Sequence, residues 1–427
     1  MSQEQNNTFW NEIQGKYKIK NISYTPPYGE GAGMRVSLEL HDSRARPGCP
    51  VCGRAPIIHA YVAKEVRFGA INGAPVSFEM EHCRYLCKPC DITFMEEFEW
   101  LLPHRGMAVD ADNYILSKLG SQTFTELSAD LGVCVQTVAN RALSFGSQER
   151  EQQLNGHYRY LSMDEVFVSR NKHGEARYLW VLNDNSVSWK SNNVRMDEGR
   201  GKEDVIRRLG ELAHPEGVAA VSIDMWKPYR DAIQEALPNA AVVIDPFHVI
   251  QAARKAMDSI RKKADVPKGL KSALKKDARL FLLSMFKLTD EELDRLESYL
   301  AADPVLEGAY FAVQSLSEFY RLRDYEHALD YLAKWESDVL ESGTRELGDL
   351  LRTVVNWLPQ IMNYFVHRIT NGPTEGKNNL LRTIDRMGFH YGTDAIQACV
   401  YAHDRKQEYL KWKRHQAKRS KRLNQAA

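Results

Sequence analysis

The spacing of apolar and polar residues along this chain changes character several times. Between residues 110 and 145 the apolar positions recur at helical spacing. Leu127, Leu131, Val133 and Val138 fall on the inner side of two crossed helices, and Gly132 sits where the chain must turn. From about residue 158 the pattern shifts to strands. Residues 158–168 and 177–183 predict two of them, with the turn-like segment 171–174 between. Residues 218–224 and 240–245 are short apolar runs of the kind a sheet buries on both faces, each followed by a helical stretch. Strands first, then strand–helix alternation, predict an α/β sheet with helices packed on it. Residues 289–345 return to helical spacing as acid-rich amphipathic helices, whose Leu, Phe and Tyr positions read as helical core. No internal repeat or low-complexity tract appears.

Composition narrows the class. The 427 residues are 43% hydrophobic and 26% charged, a globular profile with room for about two to four domains. No run of about 18 apolar residues occurs, which predicts no membrane span. The opening MSQEQNNTFWNEI lacks a basic start and an apolar core, so a cytoplasmic protein is expected. Lys and Arg number 57 and Asp and Glu 56, a net charge of +1 that taken alone argues against a nucleic-acid partner. The distribution argues otherwise. Residues 254–276 carry nine Lys and Arg against two acids, and residues 404–423 again nine against two, with Tyr409 and Trp412 interleaved in the second run. Both fit phosphate binding, although a solvated helix face or a disordered tail competes for the second.

Five of the seven cysteines lie between Cys49 and Cys90. Cys49-Pro-Val-Cys52-Gly53 and Cys87-Lys-Pro-Cys90 are two C-x-x-C pairs with 34 residues between Cys52 and Cys87. Each pair offers two thiolates from one tight turn, and two such turns close a tetrahedral Zn²⁺ site. Residues 66–68 and 75–80 predict the short strands of a zinc ribbon. Two disulfides are the competing reading, disfavoured in a reducing compartment. Cys83 is the spare thiol, open to exchange with Cys87. Four thiolates leave no open position, so the zinc is expected to be structural.

Residues 125–141 resemble a helix-turn-helix, with Gln136, Thr137, Asn140 and Arg141 expected to face outward from its second helix. Those side chains are of the types that contact base edges and phosphates. A plain αα-hairpin is the alternative.

Four acids stand out. Asp164 lies inside an apolar strand, where a lone carboxylate costs several kcal/mol unless paired or metal-bound. Asp224 and Asp245 stand where buried strands emerge toward a helix, the edge at which α/β sheets bind ligands. For either alone, a helix N-cap is the competing explanation. Glu375 falls in the first turn of a helix opened by Asn371-Gly372-Pro373, where a contact with the helix dipole would suffice for a single acid. Together, Asp164, Asp224 and Glu375 point to carboxylates gathered around divalent cations, since their repulsion would otherwise raise at least one pKa.

The ordered set CPxCG…CxxC, helix-turn-helix, MDE, IDMWxPY, IDPFHV and NGxxEGxNN resembles the DDE-type bacterial insertion-sequence transposases of the ISL-three family, from about residue 45 to 410. The resemblance implies a ribonuclease-H-like catalytic core with a helical insertion, preceded by a zinc ribbon and a helix-turn-helix. The implied divisions are an N-terminal segment (1–44), zinc ribbon (45–100), helix-turn-helix domain (105–150), catalytic core (155–255 and 365–403), helical insertion (256–364) and basic tail (404–427). It implies Asp164, Asp224 and Glu375 as catalytic acids holding two Mg²⁺ ions, with Asp224 favoured over Asp245 as the second. Asp245 and His248 take supporting roles, and Cys49, Cys52, Cys87 and Cys90 hold one Zn²⁺. Lys377, Asn378 and Arg382 are expected to join Gln136, Thr137, Asn140 and Arg141 in binding DNA. The implied activity is metal-dependent strand cleavage and strand transfer at terminal inverted repeats and target DNA. It would be carried out by at least a dimer on double-stranded DNA in the bacterial nucleoid. A zinc-ribbon and helix-turn-helix regulator with a non-catalytic core is the alternative.

Overall fold

The structure, a computed structural model, describes residues 13–27, 31–41, 46–102, 106–170, 174–187, 190–388 and 391–426. Of the predicted turn 171–174, only Gly174 lies within the described residues; residues 1–12 and the side chains of the tail beyond Lys418 lie outside them. Two compact units emerge, residues 1–149 with 383–427 and residues 150–382. Among the described residues no helix is long and apolar enough to cross a membrane.

The first unit holds a five-stranded sheet: β1 (Tyr17–Thr25), β2 (Gly33–Leu40), β3 (Ile57–Ile71), β4 (Ala74–Cys87) and β5 (Ile92–Met95), in the order β1-β2-β4-β3 with β5 paired to β4. The short strands expected at 66–68 and 75–80 are parts of the long antiparallel hairpin β3–β4. Its turn is Asn72-Gly73, both with positive φ (52° and 74°), the type I′ geometry that matches strand twist. Helices α1 (Val109–Lys118), α2 (Phe124–Leu131) and α3 (Val135–Leu154) follow. Thr123 and Glu126 form a capping box at the start of α2, and Gly132 closes it in the left-handed conformation at φ 61°. Leu127, Leu131 and Val138 are fully buried between the helices, and Val133 is half-buried.

A 34-residue helix, Thr393–Ala426, ends the chain. Its opening residues pack within the first unit rather than with the second, as the boundary at 403 would have it. A Cβ on Gly146 would meet Ala398 at 2.8 Å, and one on Gly120 the Cys399 carbonyl at 3.0 Å. Phe124 stacks on Tyr391 with ring centroids 4.4 Å apart, and Arg405 Nε donates to Glu149 Oε2 at 2.8 Å.

The second unit is built on β6 (Tyr160–Arg170), β7 (Ala176–Val187), β8 (Lys190–Glu198), β9 (Ala220–Ile223) and β10 (Ala241–Ile244), in the order β10-β9-β6-β7-β8. β6, β7 and β8 run antiparallel as a meander, while β9 and β10 are parallel to β6. The parallel pair is buried except for half-buried Ala241, as an apolar run covered on both faces requires. Helix α4 (Lys202–Leu209) precedes β9, α5 (Lys227–Ala236) joins β9 to β10, and α6 (Pro246–Lys263) follows β10. A helical stretch then runs through α7 (Lys268–Lys276), α8 (Asp290–Ala302), α9 (Pro304–Phe319), α10 (Tyr325–Ser342), α11 (Arg345–Asn356) and α12 (Leu358–His367). Its Leu306, Tyr310, Trp335 and Ile361 share one core with Leu161, Met163, Ile223 and Ile244 of the sheet. Helix α13 (Gly372–Met387), whose residues up to Arg382 belong to this unit, carries Glu375 in its first turn.

Candidate active site

Strand register brings the aspartates together. β6 pairs β9 as Ser162↔Ser222, and β9 pairs β10 as Ile223↔Ile244. Continuing both registers past the last paired residues sets Asp164, Asp224 and Asp245 side by side across three neighbouring strands. The Asp245 N–H donates to the Ile223 carbonyl at 3.0 Å, tying the level row together. Asp164, Glu165, Asp245, His248, Glu375, Asn378 and Arg382 line a cavity of about 420 Å³, with Phe247, Thr370 and Asn371 beside them. Asp224 is not among the lining residues, but it is close enough to His248, Asp164 and Glu165 for their charges to act on it.

Helix α13 reaches the sheet through specific contacts. The Ser162 and Thr374 hydroxyls are 2.6 Å apart, both fully buried. Asn185 Nδ2 donates to the Thr370 carbonyl at 2.6 Å, fixing the segment before the helix. Glu375, Asn378 and Arg382 recur at i, i+3 and i+7, one helical face, and that face borders the cavity. Asn378 Nδ2 donates to Asp164 Oδ2 at 2.7 Å, while Asp164 Oδ1 accepts from the Glu165 N–H at 2.8 Å. Asn378, expected on DNA, thus spends its amide donor on Asp164. Lys377, given the same expectation, is buried, and Arg382 donates to Asn379 Oδ1 at 3.0 Å.

The two strand-end aspartates differ in employment. Asp245 caps α6, its Oδ1 accepting from the Phe247 N–H at 3.4 Å with Pro246 in the first helical position. Asp224 caps nothing. The N-cap of α5 is Trp226, and Asp224 Oδ1 is buried without a partner. Burial pushes the Asp224 carboxyl above its usual range; His248 opposes this, and Asp164 and Glu165 reinforce it. Asp245 is raised too, by burial, against the pull of His248 and of the Phe247 and Asn371 N–H groups. Tyr229 adds a further unpartnered group, its buried hydroxyl held well above its ordinary pKa by burial and then by the charges of Glu165, Asp224 and Asp164. Glu165, the neighbour of Asp164 in MDE, pairs with Arg200 at 3.0 Å, and the Arg200 guanidinium lies 5.2 Å from the Trp226 ring centroid. Neither Tyr229 nor Glu165 was singled out in the sequence.

The cysteines make a second centre. The ligand atoms of Cys49, Cys52, Cys87 and Cys90 all lie within 4.8 Å of one another, and Cys52 and Cys87 Sγ are 3.6 Å apart. Two thiolates on one tetrahedral ion at ~2.3 Å would be separated by about 3.8 Å. Cys83 is buried in β4 opposite Tyr61 and takes no part in the cluster. The first turn is closed by the Gly53 N–H donating to the Cys49 carbonyl at 2.8 Å, with Gly53 at φ 70°. Without an ion the thiols spread apart in acidity. Cys49, which burial would raise, is drawn to about 7 by the N–H groups of Cys52 and Val51 and by neighbouring thiols. Cys90 is pushed up to about 12, first by the Cys52 thiol and then by burial. Four thiolates side by side need a cation, so the donor set fits a soft-ligand metal. Among the described residues no other group of three or more such ligands lies this close. Asp164, Asp224 and Glu375 are therefore spread more widely than the thiols. Their hard oxygen donors, with the unpartnered Asp224 Oδ1, still suit a divalent cation that keeps several waters.

On α3, Gln136 and Asn140 are exposed and hydrogen-bonded to each other at 2.7 Å, and Thr137 Oγ1 is 3.0 Å from Cys134 Sγ. Arg141 instead turns onto Asp112 of α1 in a largely buried ion pair. In the basic stretch 254–276, Arg261 is buried and paired with Asp258 at 2.6 Å, Lys262 with Asp258 at 2.6 Å, and Lys263 with Glu346. Arg254, Lys255, Lys268, Lys271, Lys275 and Lys276 are exposed.

An α/β sheet with acids gathered at the carboxyl edge of its parallel strands, beside a cavity, defines a carboxylate-lined ligand site. The family model DDE_Tnp_ISL3, whose description is Transposase, matches residues 161–396. That match covers more than half of the chain, and the chain belongs to the ISL-three family of transposases. It is 24% identical over 380 residues to the transposase for insertion sequence element IS1001 of Bordetella parapertussis, covering 85% of this chain and 89% of that one. Among solved structures it is similar to the Drosophila P element transposase strand transfer complex, at 12% identity and a TM-score of 0.39, over 70% of this chain and 91% of the other.

Proposed function

We propose that this DNA transposase binds the terminal inverted repeats of its insertion sequence and cuts and joins DNA strands at one carboxylate centre, with Asp164, Asp224 and Glu375 as its catalytic acids. The reading rests chiefly on the level row of aspartates facing the helix that carries Glu375. The single mixed sheet, with helices inserted before that helix, supports a ribonuclease-H-like core. Asp164, Asp224 and Glu375 would hold two Mg²⁺ ions, which when bound supply Lewis-acid stabilisation of charge on the phosphate oxygens. Asn378 holds Asp164 in place, and Asp245, occupied at the start of α6, sets the helix turn that carries His248. Arg382 at the cavity and the exposed lysines of α7 offer cations to the DNA backbone, and Gln136 and Asn140 offer amides to base edges. Cys49, Cys52, Cys87 and Cys90 would hold one structural Zn²⁺. The protein would act as at least a dimer on DNA, in the bacterial cytoplasm with the nucleoid.

Asp164→Ala, Asp224→Ala and Glu375→Ala should each abolish Mg²⁺-dependent cleavage of duplexes carrying the terminal repeat while leaving their binding intact. Cleavage retained by Glu375→Ala would remove that residue from the set.

A further inference from the structure

The cavity beside the acids has polar capacity that the acids do not use. Asn371 lines it, is only 4% exposed, and finds no partner for either Nδ2 or Oδ1. Its main chain is engaged, the carbonyl accepting from the Glu375 N–H at 3.0 Å. An asparagine just ahead of a helix ordinarily turns Oδ1 onto the first free N–H groups of that helix, and this one does not. Buried amides are nearly always satisfied, so a donor and an acceptor left open side by side mark a missing ligand with the complementary pair. Asn378 Oδ1, on the same cavity, is also buried and open. The remaining wall is aromatic. Phe247 is 46% exposed and lies edge-on to His248 with centroids 5.5 Å apart. At about 420 Å³ the cavity is within the range of ~300–1,000 Å³ that encloses small ligands.

A nucleobase presents an adjacent donor and acceptor on its edge and a flat face for an aromatic ring. We propose that the cavity takes one base, unstacked from the DNA at the cleavage site, with its edge on the Asn371 amide and its face on Phe247. The inference rests on the transposase reading of the site and adds a base-recognising subsite to it. Extruding a base costs stacking, which a fitted pocket returns.

The test uses the full chain and duplexes carrying the terminal repeat, with a single abasic nucleotide, or 2-aminopurine, walked through the positions around the cleavage site. Asn371→Ala and Phe247→Ala should each cut the intact duplex roughly tenfold more slowly than the unmodified protein. At one position the abasic substitution should abolish that difference, because there is no base left to hold. 2-Aminopurine at the same position should brighten on binding without divalent metal, and brighten less with Phe247→Ala, which removes the ring that holds the base out of the stack. Phe247 is half-exposed, so its truncation keeps the question open if Asn371→Ala does not fold. Defects equal on intact and all abasic duplexes, with fluorescence unchanged at every position, would overturn the pocket, leaving Asn371 a structural amide or a water site. Should the unmodified protein cut no duplex, the catalytic reading fails, while the fluorescence arm, which needs binding alone, still decides the pocket.

Discussion

Replacing Asp224 by asparagine should stabilise the metal-free protein while removing its activity. Asp224 Oδ1 is buried without a partner, and an unsatisfied buried polar atom costs about 1–3 kcal/mol, more when charged. Burial is the leading influence on this carboxyl and raises its pKa; Asp164 and Glu165 push the same way, and only His248 resists. A folded-state pKa above the unfolded value means that ionisation works against folding. The carboxyl's contribution is most favourable below the unfolded pKa and is lost as pH rises through the folded one. Asparagine carries no charge at any pH. The amide keeps the unpartnered oxygen and sheds only the charge, so in EDTA near neutral pH the variant should be more stable by about 1.4 kcal/mol for every tenfold by which burial weakens the acid. At ~2–4 °C per kcal/mol for a unit of this size, each such tenfold is roughly 3–6 °C in Tm. The gap should narrow as pH falls from about 8 toward 5, and Mg²⁺ should raise the Tm of the unmodified protein more than that of the variant. Differential scanning calorimetry across that pH range measures all three. A variant less stable than its parent at neutral pH in EDTA, or a gap that widens on acidification, would refute the reasoning.

Cys87→Ser should lose the bound zinc and Cys83→Ser should keep it, since Cys87 belongs to the four-thiol cluster and Cys83 does not; metal content by mass spectrometry decides. Thr374→Val strands the buried Ser162 hydroxyl at a cost of about 1–3 kcal/mol, and should slow cleavage while repeat affinity, measured by gel shift, stays unchanged. Gln136→Ala should weaken specific binding with little change in Tm. Arg141→Ala should do the reverse, because its guanidinium is held by Asp112.

Much of this architecture was legible because it is local. The turn between α2 and α3 follows from four apolar positions and one glycine, and the parallel strands from two apolar runs ending in aspartate. What escaped was either polar at the sequence level or set by distant partners. β8, with the sequence KSNNVRMDE, shows little apolar character, yet its Val194 and Met196 are fully buried as the last strand of a meander. The Asn72-Gly73 turn was a readable hairpin signal that would have extended the two short ribbon strands to their full lengths. Arg141 pairs with a residue 29 positions away, and the open amide of Asn371 depends on burial. Neither can be deduced from spacing.

The choice between Asp224 and Asp245 shows what spacing can still carry. Both end buried parallel strands and both precede helices, so composition and periodicity treat them alike. The difference lies in the linker. Asp245 is followed at once by proline, and Pro-first helices take the preceding residue as N-cap, so its carboxylate is committed to the helix start. After Asp224 come Met225 and Trp226, and the helix opens with Lys227-Pro228; the cap position falls to Trp226, which has no side-chain acceptor to give. Two extra residues therefore release one aspartate from structural duty and leave its oxygen buried and unpaired, the condition that favours a cation. The register of β9 against β6 then sets that free carboxylate level with Asp164, which is held from the other side by Asn378.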